Sequence, residues 1–166
     1  MILERFNVDI HSHLIEPLTE LLHKAYAPLA AQGMKYLATH QPASKTLDRL
    51  GHGESHLGFV NREIVSTLTL RPERPNSPCE YYRKPGVFSL GQFAVSPEYQ
   101  GRGYGAKIMD FVETRAKELG AKELALDTSE KASELIAMYE RRGYKIVGHT
   151  QWEVTNYCSI VMSKTL

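Results

Sequence analysis

Two cysteines among 166 residues, Cys79 in a proline-rich stretch and Cys158 in a late apolar run, are too few for a disulfide framework and lack metal-ligand spacing. A hydrophobic core must hold the chain together, and a reduced cytoplasm is the simplest setting. Net charge is scarce as well: 20 Lys and Arg face 19 Asp and Glu, so no global field draws in nucleic acid or an acidic membrane surface. Apolar runs span only a few residues, and the opening MILERFNVDI carries charges where a signal peptide needs an apolar block, so neither a membrane partner nor export is expected. Internal repeats and low-complexity segments are missing too. One domain over residues 1–166 is the simplest organisation.

What is present is a readable succession of periods. A short strand is expected near Ile2 to Val8. From Leu14 to Leu29 the residues Leu14, Leu18, Leu21, Leu22, Ala25 and Leu29 recur at helical spacing, with Gly33 as a stop and a weaker helix near Ser44 to Leu50. HLGFV and EIVSTLTL flank the polar NRE and read as an antiparallel hairpin. Residues 71–86, RPERPNSPCEYYRKPG, hold four prolines and no apolar period, and predict a long loop before the strand VFSLGQFAV. A helix follows Gly105 with Ile108, Met109, Val112, Ala116 and Leu119 on one face and Gly120 as its stop. The strand KELALD, a helix carrying Leu135, Met138 and Tyr139 and ending at Gly143, and the strands YKIVG and YCSIVMS, joined through HTQWEVTN, complete a mixed α/β (α+β) pattern.

The segment VSPEYQGRGYGAK, residues 95–107, places Gly101, Gly103 and Gly105 between a strand and a helix. A helix N-terminus offers unsatisfied N–H groups and the positive end of its dipole. A glycine-rich approach, with Arg102 and Lys107 alongside, therefore suits a phosphate. A flexible strand-to-helix turn is the plainer alternative. Gly101, Gly103 and Ala106 also satisfy a dinucleotide pattern, with Asp127 as its ribose acid. Against that reading, SPEYQ separates the turn from its strand and only 39 residues follow Asp127. A Walker A loop fails, because Ala106 and Ile108 stand where its last glycine and hydroxyl residue belong.

FAVSPEYQGRGYGAKIM resembles the coenzyme A signature of the GNAT superfamily of N-acetyltransferases, Q-x-x-G-x-G/A, here Gln100, Gly103 and Gly105. AMYERRGYKIVG resembles the family's second segment, Y-x-x-x-G-F/Y, here Tyr139, Gly143 and Tyr144. The two motifs stand in the family's order, about 35 residues apart with a helix and a strand between. The resemblance implies a mixed, mostly antiparallel central sheet of about seven strands flanked by about four helices. It further implies acetyl transfer from acetyl-CoA to a primary amine in a ternary complex, with no metal. A coenzyme A binding sensor or regulatory module without turnover is the alternative on the same fold.

Carried over residue by residue, the resemblance assigns the coenzyme A pyrophosphate to the backbone of Gln100, Gly101, Arg102, Gly103, Tyr104, Gly105 and Ala106, with Lys107 as a charged neighbour. Phe93, Ala94 and Val95 would pair with the pantetheine arm, and the Val95 N–H would polarise the thioester carbonyl. Tyr139 would be the general acid: a phenol near pKa ~10 can protonate a thiolate whose conjugate acid lies near ~8.5. On periodicity alone Tyr139 reads as a packed core aromatic, and its register with Gly143 and Tyr144 favours the acid. The family's asparagine before the tyrosine helix is missing, and Thr128, Ser129 and Ser133 stand there instead. Ser133 is the candidate pantetheine contact, and Ser129 reads as a helix N-cap.

The acceptor side is less legible. By analogy with the family it lies among the first two helices, the 71–86 loop and the final hairpin. Tyr26, Tyr36, Tyr81, Tyr82 and Trp152 are its aromatic candidates, and Glu80 is the nearest approach to a base. The acceptor is a small molecule or peptide amine of unspecified kind. HSH at His11–His13 and HGESH at His52–His56 have the wrong order and context for a metal site. Cys158 reads as a buried thiol and Cys79 as an exposed one. An exposed strand of the final hairpin is available for a homodimer.

Overall fold

The computed structural model describes residues 1–166. Its elements are β1 (Ile2–Arg5), α1 (Val8–His11), α2 (Ile15–Ala31), α3 (Ala43–Leu50), β2 (Glu54–Val60), β3 (Glu63–Arg71), β4 (Val87–Val95), α4 (Tyr104–Glu118), β5 (Glu123–Ser129), α5 (Ser133–Arg141), β6 (Lys145–Thr150) and β7 (Ser159–Thr165). The first strand stops earlier than its apolar pattern predicts, because the Asn7 side chain accepts from the Asp9 N–H and caps α1. In the β2–β3 hairpin the turn is only Asn61 and Arg62, both at positive φ (50° and 68°), and Glu63 joins the strand.

The strands form one sheet of seven in the order β1-β2-β3-β4-β5-β7-β6. Every neighbouring pair is antiparallel except β4 and β5. Because strand side chains alternate, the sheet buries two faces. Ile108, Met109, Val112 and Ala116 of α4 and Tyr139 of α5 pack on Leu68, Leu70, Leu90, Leu124, Leu126 and Met162. On the other face Leu18, Leu21 and Leu22 of α2 and Leu50 of α3 cover Leu57 and Ala94. Each of these fully buried leucines contributes about 1.5–3 kcal/mol of burial. No helix is long and apolar enough to cross a membrane.

Two irregularities open the middle of the sheet. β4 and β5 pair only from Val87–Ser89 to Glu123–Ala125. Beyond that point β4 bulges: Gln92 and Phe93 oppose the single Leu68, and Gln92 sits at φ 48°. A non-glycine residue holds that conformation only when its surroundings fix it. Here the buried Gln92 Oε1 accepts from Gln41 Nε2 at 3.0 Å, and Gln92 Nε2 donates to the Thr46 carbonyl at 3.3 Å. The bulge bends β4 away from β5 and leaves a cleft between them.

The proline-rich loop is folded onto the sheet rather than extended from it. Tyr82 and Cys79 pack with Val87, Ala125 and Val161. Arg83 Nε donates to the Ser77 carbonyl at 2.6 Å, and the Arg74 N–H to the Tyr82 carbonyl at 2.8 Å. Cys79 is therefore buried, not exposed, because the loop turns it inward against β5. Cys158 is only half-buried, lying just before β7 begins. Ser129 is likewise not the N-cap of α5. It ends β5, its N–H donates to Tyr36 Oη, and Ala132 occupies the N-cap position without a side-chain cap.

Candidate functional site

The glycine loop enters α4 through two left-handed residues, Gly101 at φ 73° and Gly103 at φ 79°, the second being the N-cap. The first intrahelical bond runs from the Lys107 N–H to the Gly103 carbonyl at 3.1 Å, so the amides before it have no helical partner. Gly105 is the informative member. Its φ is ordinary, and a Cβ there would meet only Phe93 Cζ at 4.0 Å, so neither backbone conformation nor packing demands glycine. Without that side chain the bare first turn of α4 lies open beside the β4 edge, as a diphosphate cradle requires. Arg102 and Lys107 are exposed alongside, with the Arg102 guanidinium 5.1 Å from the Tyr99 ring. Gln100 ties the loop to the strand: its Nε2 donates to the Val95 carbonyl at 2.9 Å.

That carbonyl and the Val95 N–H point the same way. The Ser96 N–H bonds the Val65 carbonyl at 2.8 Å, so Val95 and Ser66 are a non-hydrogen-bonded pair and the Val95 N–H faces away from β3, into the cleft. Within the bulge the Phe93 carbonyl accepts from Tyr26 Oη at 2.9 Å. The Ala94 side chain belongs to the core beneath α2, so only its main chain can serve a ligand.

Across the cleft, Tyr139 is positioned by the way α5 stops. The Tyr144 N–H bonds the Tyr139 carbonyl at 3.1 Å and the Gly143 N–H the Glu140 carbonyl at 2.9 Å, with Gly143 at φ 90°. This is a Schellman cap, and its usual apolar contact is the Tyr139–Tyr144 ring pair at 5.8 Å. The spacing Y-x-x-x-G-Y is thus a helix-stop geometry that locks one tyrosine at the cleft. Tyr139 is 8% exposed, its phenol lines the cleft cavity, and burial holds its pKa well above the ordinary value, so it carries its proton. Ser133 is exposed in the first turn of α5.

Beside Tyr139 the cleft widens into a cavity of about 280 Å³. Tyr26, Tyr36, Tyr82 and Trp152 line it. Tyr26 and Tyr36 are 5.2 Å apart between ring centroids, and Tyr36 and Tyr157 4.8 Å. Tyr36 Oη is 2.8 Å from Thr128 Oγ1, and burial raises the Tyr26 phenol to about 12. Glu80 and Tyr81 do not reach this cavity. Glu80 is exposed on the loop, and Tyr81 Oη donates to Glu123 Oε2 at 2.6 Å beside the β5–β7 ladder. The loop brings Tyr82 inward because the next residue in its short 3-10 turn faces the opposite way.

Sequence reasoning missed the cavity's charged lining. Asp127, its one carboxylate, accepts from Tyr82 Oη and Trp152 Nε1, each at 2.8 Å. Arg49, Arg71 and Arg74 line the same space from α3, β3 and the 71–86 loop. The arginines lie in no motif and Asp127 reads in the sequence only as a ribose acid, and the four meet because α3 and the loop close over the bulged strand. No three His, Cys, Asp or Glu side chains form a group that could hold a metal.

A profile of the GNAT acetyltransferase family matches residues 15–144. The chain is 30% identical to the S-(2-succino)cysteine N-acetyltransferase of Bacillus subtilis (strain 168) over 131 residues, 78% of this chain and 77% of that protein. It is 28% identical to the S-alkylcysteine N-acetyltransferase of the same organism over 153 residues, 90% and 82% of the two chains. A GNAT acetyltransferase from Elizabethkingia anophelis, solved with acetyl-CoA bound, superposes with a TM-score of 0.62 at 21% identity over 78% of this chain and 88% of that one. With the family profile matched over most of its length, and with a glycine entry to α4, parted strands β4 and β5 and the Tyr139 cap in its fold, the chain belongs to the GNAT family and is an acetyl-CoA-dependent N-acetyltransferase.

Proposed function

We propose that the protein acetylates the α-amino group of a small amino acid, an S-substituted cysteine, by direct attack of the neutral amine on the bound acetyl-CoA thioester. The carrying observation is the cavity itself. It is small, near the lower end of ligand pockets, walled by aromatic rings and supplied with the single carboxylate Asp127 to hold an amino group. The two Bacillus subtilis relatives are named for acetylation of S-substituted cysteines, which supports the same acceptor class.

In this reading the loop amides of Gln100 through Ala106 hold the diphosphate, and Ser133 faces the pantetheine from α5. Phe93, Ala94 and Val95 offer main chain to that arm, and the Val95 N–H stabilises the oxyanion that forms as nitrogen attacks carbon. A C–N bond forms, the C–S bond breaks, and Tyr139 protonates the departing sulfur. The proton lost by nitrogen balances the one Tyr139 gives. Asp127 already accepts two hydrogen bonds, so its part is to orient the acceptor nitrogen. Consumption of acetyl-CoA with Cys79 and Cys158 free fits the cytoplasm.

Steady-state release of coenzyme A thiol from acetyl-CoA tests this against S-substituted cysteines, a polyamine, an aminoglycoside and a peptide with a free N-terminus. The expected result is a kcat/KM for the cysteines at least about 100-fold above the others. Preferred turnover of a peptide or polyamine overturns it.

A further inference from the structure

Burying a guanidinium without a counter-charge is costly, and most proteins avoid it by pairing the group or leaving it in water. In this cavity Arg49, Arg71 and Arg74 are each largely withdrawn from water without being paired. No carboxylate oxygen comes within 4.0 Å of Arg49, Arg71 or Arg74, whereas the partly buried Arg115 and Arg142 are paired, Arg115 with Glu54 at 2.7 Å and Arg142 with Asp110 at 2.6 Å. The Nε atoms of both Arg71 and Arg74 are buried and have no hydrogen-bond partner. Asp127, the one carboxylate of the lining, is engaged by Tyr82 and Trp152 instead. Lys45, a further cation of the lining, is already paired with Asp48 at 2.6 Å.

The three guanidinium groups are also held in place. Arg71 extends diagonally across the β3–β4 pair and lies flat on Gly91. A Cβ at 91 would come within 2.5 Å of its Cζ and 2.6 Å of its Nη2, so this glycine makes the room that the guanidinium occupies. Arg74 stacks on Tyr82 with its Cζ 4.9 Å from the ring centroid. Arg49 donates through Nη1 to Gln41 Oε1, and Gln41 in turn donates to Gln92, the bulged residue of β4. The bulge that opens the cleft therefore also sets one of its charges. Burial, with repulsion from Arg49 and Arg74, brings the Arg71 pKa down to about 10, which leaves the group charged at neutral pH.

We infer that Arg71, Arg74 and Arg49 form a carboxylate-binding subsite, and that the preferred acceptor is an α-amino acid carrying a second carboxylate on its side chain. Resting on the acceptor proposed above, this means a cysteine whose sulfur substituent is acidic. One carboxylate meets the planar donors of Arg71 and Arg74, which match its two oxygens, and the other meets Arg49, while Asp127 keeps the amino group apart from them. The aromatic walls take the thioether between these ends.

The test compares kcat/KM for S-(carboxymethyl)cysteine and S-(2-succino)cysteine with that for S-methylcysteine and S-propylcysteine, in the wild type and in Arg71→Met. Acetyl-CoA affinity by calorimetry serves as the control for folding. The wild type should favour the acidic acceptors by about 100-fold or more, and Arg71→Met should lose most of that ratio through a raised KM while binding acetyl-CoA as before. Gly91→Ala, which displaces the Arg71 guanidinium without removing it, should lower the same ratio. Equal or better turnover of the neutral acceptors by the wild type, or an acidic preference that survives Arg71→Met, overturns the subsite and leaves the S-substituted cysteine acceptor standing. Turnover of no S-substituted cysteine by a protein that still binds acetyl-CoA overturns both.

Discussion

At Tyr139 a single hydroxyl separates packing from the proposed chemistry. The ring belongs to the core under α5, where its contact with Tyr144 survives removal of the oxygen. Tyr139→Phe should therefore leave thermal stability and acetyl-CoA affinity nearly unchanged while kcat falls about 100-fold, the usual worth of a positioned acid. Stopped turnover with loss of affinity would make the residue structural. Gly105 allows the opposite separation. Since a Cβ there meets nothing closer than Phe93 Cζ at 4.0 Å, Gly105→Ala should raise stability by some tenths of a kcal/mol, up to about 1. The same methyl should weaken acetyl-CoA binding about tenfold, equivalent to about 1.4 kcal/mol, if the bare turn holds the diphosphate. Calorimetry and thermal denaturation on one sample read both. At this scale the glycine entry to α4 and the Tyr139–Gly143 cap were legible, because their residues are selected by local backbone needs that leave a spacing. The arginines were not, because their significance lies in what they fail to pair with, and Asp127 was visible only as the acid of a dinucleotide pattern.

Among the elements, the ends and defects position the chemistry more than the regular stretches do. The α5 cap depends on Gly143 at φ 90°, where an added Cβ meets only Lys164 Cε at 3.9 Å, so the cost of a side chain there is backbone strain rather than a clash. Gly143→Ala should destabilise the fold by about 1–2 kcal/mol in a denaturant titration. It should also lower kcat, because Tyr139 loses the cap that fixes it. The glycine, its tyrosines and the helix between them were readable from spacing alone. The β4 bulge was not. Nothing in VFSLGQFAV marks Gln92 as left-handed, and its conformation is imposed by Gln41 and Thr46, both distant in sequence and buried. The short α1 escaped for a smaller reason: four residues are too few to show a period, and only the Asn7 cap reveals them.

The molecule as a whole should lose stability in two steps as pH falls. His56 is buried against Phe111, and burial lowers its pKa below the unfolded value of about 6.5. A group depressed in the folded state contributes stability above its unfolded pKa and loses it as pH falls, so the first decline begins below about 6.5. Glu54, held down by hydrogen bonds from Arg115, and Glu123, held down by Tyr81 and Ser163, give the second decline below about 4.3. Thermal denaturation from pH 8 to pH 3 should show both steps, and His56→Phe should remove the first. A flat profile between pH 7 and pH 5 would contradict it. The sequence by itself determined the order of the longer elements, the glycine entry to α4 and the tyrosine at the end of α5. Each follows from periodicity and from backbone conformations that only certain residues adopt, and both are local. The tertiary structure alone decided that β4 and β5 part, that the 71–86 loop folds inward with Tyr82, and that three arginines from separate elements share one cavity with a single, already engaged carboxylate. Those outcomes depend on charges and packing brought together from separate elements, as Asp127 meets Tyr82 and Trp152 and Gln92 meets Gln41, and such contacts leave no spacing to read.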